Sequence, residues 1–215
     1  MSLGVIPMMK TIMNILTESI DNMWPMLTIF LVIIAVVRIA AIKNNNEKLV
    51  FYKEFSNLLF IIYILLLYEL LTRTELNTVR GYNLVPFTEI FRYEIGSPSF
   101  YMNVIGNIVI FIPFGYLIST YIKPKKILPI LIVSVISSAT VEFVQLCIGR
   151  SFDVDDIILN SLGAIIGFLI YIALNAIKKH LPGIFKKDLI YNILCLIILA
   201  IMVLYLLSRM GVNIL

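Results

Sequence analysis

The sequence predicts an all-α integral membrane protein, a bundle of about six transmembrane helices preceded by a short N-terminal interfacial amphipathic helix. Three observations carry that prediction. Of 215 residues, 60% are hydrophobic and only 14% are charged, too few polar side chains to cover a soluble domain of this length. The apolar residues gather in stretches long enough to cross a bilayer. The polar residues inside those stretches recur at helical spacing. The same composition excludes intrinsic disorder, which needs low hydrophobicity and high net charge. The formal charge of +4 is dispersed over short connections, so no nucleic-acid partner is expected. Cys147 and Cys195 lie in apolar runs and make no disulfide framework.

Residues 1–22 come first. Ile6, Met9, Ile12, Met13, Leu16 and Ile20 fall at steps of mostly three or four, the period of one helix face. Lys10, Asn14, Glu18 and Asp21 interrupt the run, so it lacks the unbroken apolar core of a cleavable signal. A surface-lying amphipathic helix is expected there. Residues 23–215 then form a single transmembrane domain, and its first helix acts as an uncleaved insertion signal. Its spans are expected at Met23–Ala41, Phe55–Leu71, Asn103–Tyr121, Ile127–Ile148, Ile157–Ala176 and Leu189–Leu207. The longest connection, Thr72–Met102, carries two Pro and two Gly. It is long enough to fold back into the bilayer or to cap it.

Loop cations set orientation. The connections after the first, third and fifth spans hold eleven of the 17 Lys and Arg, and the opposite side holds six. Both termini are therefore expected outside. His180 sits in the basic fifth connection and reads as a solvated surface residue.

Polar groups within a span are costly and face protein or water. Four places stand out, all toward the outer side of this topology. Ser134, Ser138, Glu142 and Gln145 share one face of the fourth span. They act either as interhelical glue or as a proton- or cation-holding stripe. Next, Arg150, Asp153, Asp155 and Asp156 lead into Asn160, Gly163 and Gly167. One acid, Asp153 or Asp155, suits a helix N-cap. The others form ion pairs, a polar substrate site or a hard-cation site, although the spacing is not that of an EF-hand. The two glycines let another helix approach closely. Third, Asn103 and Asn107 stand one turn apart in a helix that Pro113 interrupts. Fourth, the second loop carries Arg73, Arg80 and Asn83 beside Leu84-Val85-Pro86-Phe87. That run reads as a membrane-touching segment with arginines available for phosphate, or as a plain surface loop.

Taken in order, these pieces resemble the VanZ-like family of bacterial membrane proteins. The resemblance rests on Asn83-Leu84-Val85-Pro86-Phe87, on the stretch from Asn103 to Gly115 ending Pro113-Phe114-Gly115, on Glu142-Phe143-Val144-Gln145, and on the run from Arg150 to Gly163. It covers about residues 80–167. The resemblance implies a multi-pass protein of the bacterial cytoplasmic membrane, in a Gram-positive cell envelope, that lowers susceptibility to lipoglycopeptides of the teicoplanin type. It brings no mechanism and no catalytic residue.

Three functions fit. The first is binding of a lipid-linked wall precursor, or of the lipid-tailed drug, at the outer leaflet. Its expected substrate-binding residues are Arg80, Asn83, Asn103, Asn107, Glu142, Gln145, Arg150, Asp153, Asp156 and Asn160. The second is an integral-membrane enzyme acting on an envelope lipid, with Glu142 or Asp156 as acid or base. The sequence shows no nucleophile–base pair, metal-ligand motif or cofactor motif to go with it. The third is a small proton-coupled transporter or flippase, for which an internal repeat is not visible. Membrane lipids are partners in all three.

Overall fold

In a bilayer every backbone N–H and C=O must find its partner within the protein, and a helix does this along its own axis. Each of the six apolar stretches accordingly forms a helix. The structure, a computed structural model, describes residues 5–72, 81–183 and 188–209. In chain order the elements are α1 Val5–Asn44, α2 Phe51–Thr72, β1 Tyr82–Asn83, α3 Thr88–Arg92, α4 Pro98–Phe100, a single π-helical turn at Tyr101–Ile105, α5 Gly106–Ile122, α6 Leu128–Cys147, β2 Phe152–Asp153, α7 Val154–His180 and α8 Asp188–Arg209.

Among the described residues five stretches are long and apolar enough to cross a membrane: Thr17–Asn44, Phe51–Leu71, Pro98–Ile122, Leu128–Cys147 and Val154–His180. The expected sixth falls on α8, whose described apolar stretch, Asp188–Ile201, is shorter. The interfacial segment and the first span run together as one helix, with Pro25 inside it. Transmembrane helices tolerate such a proline when neighbours satisfy the freed carbonyl.

The chain divides into two units, and the division of α1 falls at Pro25. The first unit comprises Met1–Trp24 and Ile64–Ala176; the second comprises Pro25–Tyr63 and Ile177–Leu215.

Small residues organise the first unit. A Cβ built at Gly115 would overlap the Ala164 carbonyl, one at Gly163 the Ile108 carbonyl oxygen, and one at Gly167 the Ile112 carbonyl oxygen. Helices α5 and α7 therefore meet backbone to backbone, as small-residue seams permit. Phe111, Phe114, Ala164 and Phe168 are buried around the seam, and the Phe111 and Phe114 rings lie 5.4 Å apart. The buried face of α6 carries Ile130, Ser134, Ser138, Glu142 and Gln145.

In the second unit the Arg38 guanidinium on α1 grips the Glu54 carboxylate on α2 at 2.8 and 3.0 Å and also reaches Glu47. The Tyr52 N–H donates to the Asn192 side-chain oxygen on α8 at 3.0 Å.

Candidate functional site

The polar groups of the first unit converge where α6 ends and α7 begins. Two short extended pieces start the arrangement. Strand β1 pairs with β2 in parallel, Tyr82 beside Phe152 and Asn83 beside Asp153. The register brings the Asn83 amide to the Asp153 carboxylate, to which it donates at 3.0 Å. The same oxygen accepts the Asp155 N–H at 2.8 Å, so Asp153 caps the first turn of α7. Burial pushes the Asp153 carboxyl up from the ordinary aspartate range, against the pull of those two hydrogen bonds.

Asp155 does something the sequence did not suggest. Its buried carboxylate leaves its own helix and accepts the backbone N–H groups of Phe87, Glu89 (2.7 Å) and Ile90 (3.2 Å). These are the free amides at the start of α3. Phe87 itself is left-handed, with φ 68°, a conformation that costs a bulky residue roughly 1–3 kcal/mol and persists only when its surroundings hold it. The Asp155 carboxylate supplies that hold.

Below the caps lies a floor. Glu142 is 1% exposed, and its carboxylate accepts the Asp153 N–H at 2.9 Å. Asp153, Asp156 and Arg150 all act on it electrostatically. One turn further in, the Asn160 amide donates to the Ser138 hydroxyl at 2.9 Å. The Asn160 side-chain oxygen and the Ser161 hydroxyl are buried with no hydrogen-bond partner among the described residues. To one side, Gln145 and Arg150 each donate to the Leu71 carbonyl at 2.8 Å. They close the C-terminal turn of α2, where carbonyls lack intrahelical donors. Asp156 accepts a hydrogen bond from the Asn107 side chain.

Over this floor opens a cavity of about 390 Å³. Six of the expected site residues line it: Asn83, Asn103, Gln145, Arg150, Asp153 and Asp156. Asn107 and Glu142 each hydrogen-bond a lining residue from behind, and Asn160 lies deeper, tied to Ser138. Arg80 and Arg73 lie outside the described residues. Asn103 and Asn107 do not act as a pair. The intervening backbone belongs to the π turn, so Asn103 is exposed and donates back to the Ser99 carbonyl at 3.0 Å, while Asn107 turns to Asp156.

Sequence reasoning missed Tyr82, Glu89, Arg92 and Tyr93, which also line the cavity. Glu89 and Arg92 stand three apart on α3 and pair at 3.0 Å, a spacing that was available in the sequence. Their place at the cavity was not, because it depends on the Asp155 clamp. Burial, followed by the nearby Glu89 charge, raises the Tyr93 phenol above its ordinary range, so it stays protonated and able to donate.

Chemically, the cavity offers carboxylates, amides, two phenols and two guanidinium groups. Such a wall suits a polar head group that makes many hydrogen bonds. Asp155, spent on three amides, acts as a clamp.

The model of the VanZ/LLP1 family matches residues 55–178. Protein VanZ of Enterococcus faecium is 33% identical over 94 residues, which is 43% of this chain and 53% of that protein. The match thus spans about half the length of that curated relative. No solved structure matches the chain.

Proposed function

The chain belongs to the VanZ/LLP1 family, and from that premise we propose that it is a cell-envelope membrane protein that lowers susceptibility to lipoglycopeptides of the teicoplanin type. It does so by binding a lipid-linked wall precursor, or the lipid-tailed drug, at the outer leaflet. The observation that supports this most is the polar cavity of about 390 Å³ at the helix ends, walled by Asp153, Asp156 and Arg150 and backed by Glu142, which holds the Asp153 N–H. A cavity at that level meets head groups, not acyl chains. The bias of Lys and Arg toward the opposite connections supports an outward mouth and both termini outside. A teicoplanin-type drug carries a fatty tail, and each buried methylene adds about 0.8 kcal/mol of membrane affinity. The drug or its lipid-anchored target therefore reaches the cavity by diffusing in the leaflet.

The test is expression in a susceptible Gram-positive host. Tolerance to teicoplanin should rise more than tolerance to vancomycin, which lacks the tail. Glu142→Gln and Asp156→Asn keep shape and the accepting oxygen but remove charge, so each should abolish the gain at unchanged membrane levels. Equal gains for both drugs would point to altered precursor chemistry. No gain with well-expressed protein would refute the reading.

A further inference from the structure

The outer edge of the cavity is apolar to an extent that its own fold does not explain. Between β1 and α4, Tyr82 is 76% exposed, Phe91 82% and Ile95 85%, and Leu84, Val85 and Phe87 are exposed as well. Phe87 and Phe91 stand one helical turn apart, with rings 6.2 Å from each other. The opposite side of the same segment, Glu89, Ile90 and Tyr93, lines the cavity. Helix α3 thus has its polar, partly buried side inward and its large apolar side outward, the reverse of a loop folded for water.

The segment is not free to turn over. The Asp155 carboxylate binds three of its amides, the Asn83 amide is held by Asp153, and β1 is paired to β2. These anchors lie at the start of α7, which is a membrane span beginning at Val154. Large apolar side chains of the spans α6 and α7 in the same unit, Phe143 and Leu162 among them, are exposed. The apolar edge belongs to the same unit as these spans and is tied to the very end of one of them.

We infer that the segment Tyr82–Ile95 is a lip inserted into the head-group and acyl boundary of the leaflet on the cavity side, with Phe87, Phe91 and Ile95 as its buried edge. The occupant of this face is lipid. The charges on the lip are Glu89, Arg92 and Glu94, with acids in excess, so the attraction is apolar burial and not a basic patch recognising anionic lipid. The inference places the side wall of the cavity in the leaflet, so an amphiphile can enter sideways across α3. It holds whether or not the protein acts on a drug.

The test uses the full chain in proteoliposomes of zwitterionic phosphatidylcholine. The sequence has one tryptophan, so Trp24→Phe gives a silent background. Into it go Phe91→Trp, Ile95→Trp and, as a water-exposed control in the connection between α5 and α6, Lys126→Trp. The two lip tryptophans should emit to the blue of the control and resist aqueous iodide. Lipids brominated near the glycerol end of the acyl chain should quench them more than lipids brominated near the terminal methyl. Addition of anionic lipid should leave this pattern unchanged. Ile95 lies outside any helix and is the more exposed, so its variant reads the lip even where Phe91→Trp misfolds. Iodide quenching equal to the control would overturn the inference. So would blue emission that neither quencher reaches, since that face would then be covered by protein, for example a second copy. Quenching that requires anionic lipid would overturn it too. No drug enters the measurement, so its failure is distinct from failure of the resistance reading.

Discussion

Helix α7 is held on two sides in opposite ways. Toward α5 it presents Gly163, Ala164 and Gly167, and the contact is backbone on backbone with no room for a Cβ at Gly163, Gly167 or the facing Gly115. Toward α6 it presents Asn160, which is held by a hydrogen bond to Ser138, while Glu142 of α6 reaches up to the cap at Asp153. The first side is specified by shape, and only the absence of atoms satisfies it. The second is specified by donors and acceptors, and any group of similar form that still bonds satisfies it. Without a hydrophobic driving force between helices in lipid, close packing and polar pairing are the two means of association. This molecule uses one on each side of a single helix.

Substitutions at the seam should therefore be the most damaging. Gly163→Val drives new atoms into the Ile108 carbonyl. We expect a loss of at least about 3 kcal/mol, the upper end of overpacking, read as near absence of folded protein from detergent-solubilised membranes. Gly106→Ala is the matched control, since its Cβ would come no nearer than 3.6 Å to the Tyr101 carbonyl oxygen. It should be neutral, or more stable by up to about 1 kcal/mol of helix propensity. Equal losses at both glycines would erase the distinction.

A smaller effect is expected at the clamp. Asp155→Ala strips the acceptor from three amides and should cost about 2 kcal/mol. Limited proteolysis should begin to cut within Leu84–Arg92. Asp155→Asn retains an accepting oxygen and should recover part of the protection. An unaltered digest of the alanine variant would mean that α3 is held by something else.

The smallest effect should come from the second unit. Arg38 pairs with Glu47 and Glu54, but its side chain is 42% exposed, and exposed pairs contribute little after solvent screening. Arg38→Gln should leave thermal stability in detergent unchanged within error. A marked loss would show that this unit depends on polar pairing more heavily than the floor of the cavity does.

Much of the fold was legible because its determinants are local. Apolar length marks the spans, and Gly163 and Gly167 at a spacing of four announce a close helix contact. A cap at the start of α7 was legible too, although the sequence left it open between Asp153 and Asp155. The cavity was legible only in part. Stripes such as Glu142 and Gln145 are one helical turn apart and declare a shared face. The partners of Asp155, Gln145 and Arg150 are backbone groups more than 60 residues away in sequence. A carbonyl such as that of Leu71 carries no side-chain signature to find. Asn103 and Asn107 parted for a different reason: a spacing of four implies a shared face only in an α-helix, and with the π turn between them Asn103 lines the cavity while Asn107 turns to Asp156. The continuity of α1 past Pro25 was hidden because the polar residues before it look interfacial.

The clamp between Asp155 and α3 also has a consequence in time. The amides of Phe87, Glu89 and Ile90 are made 65 to 68 residues before the carboxylate that binds them. At a synthesis rate of about 5–20 residues per second, they wait roughly 3–14 s for their partner. During that interval α2, α5 and α6 enter the membrane while the future lip has neither cap nor paired strand. Its apolar edge then gives it a place to rest. On this account the leaflet holds the segment first and the protein claims it afterwards. The cavity closes only when the N-terminus of α7 leaves the translocation channel.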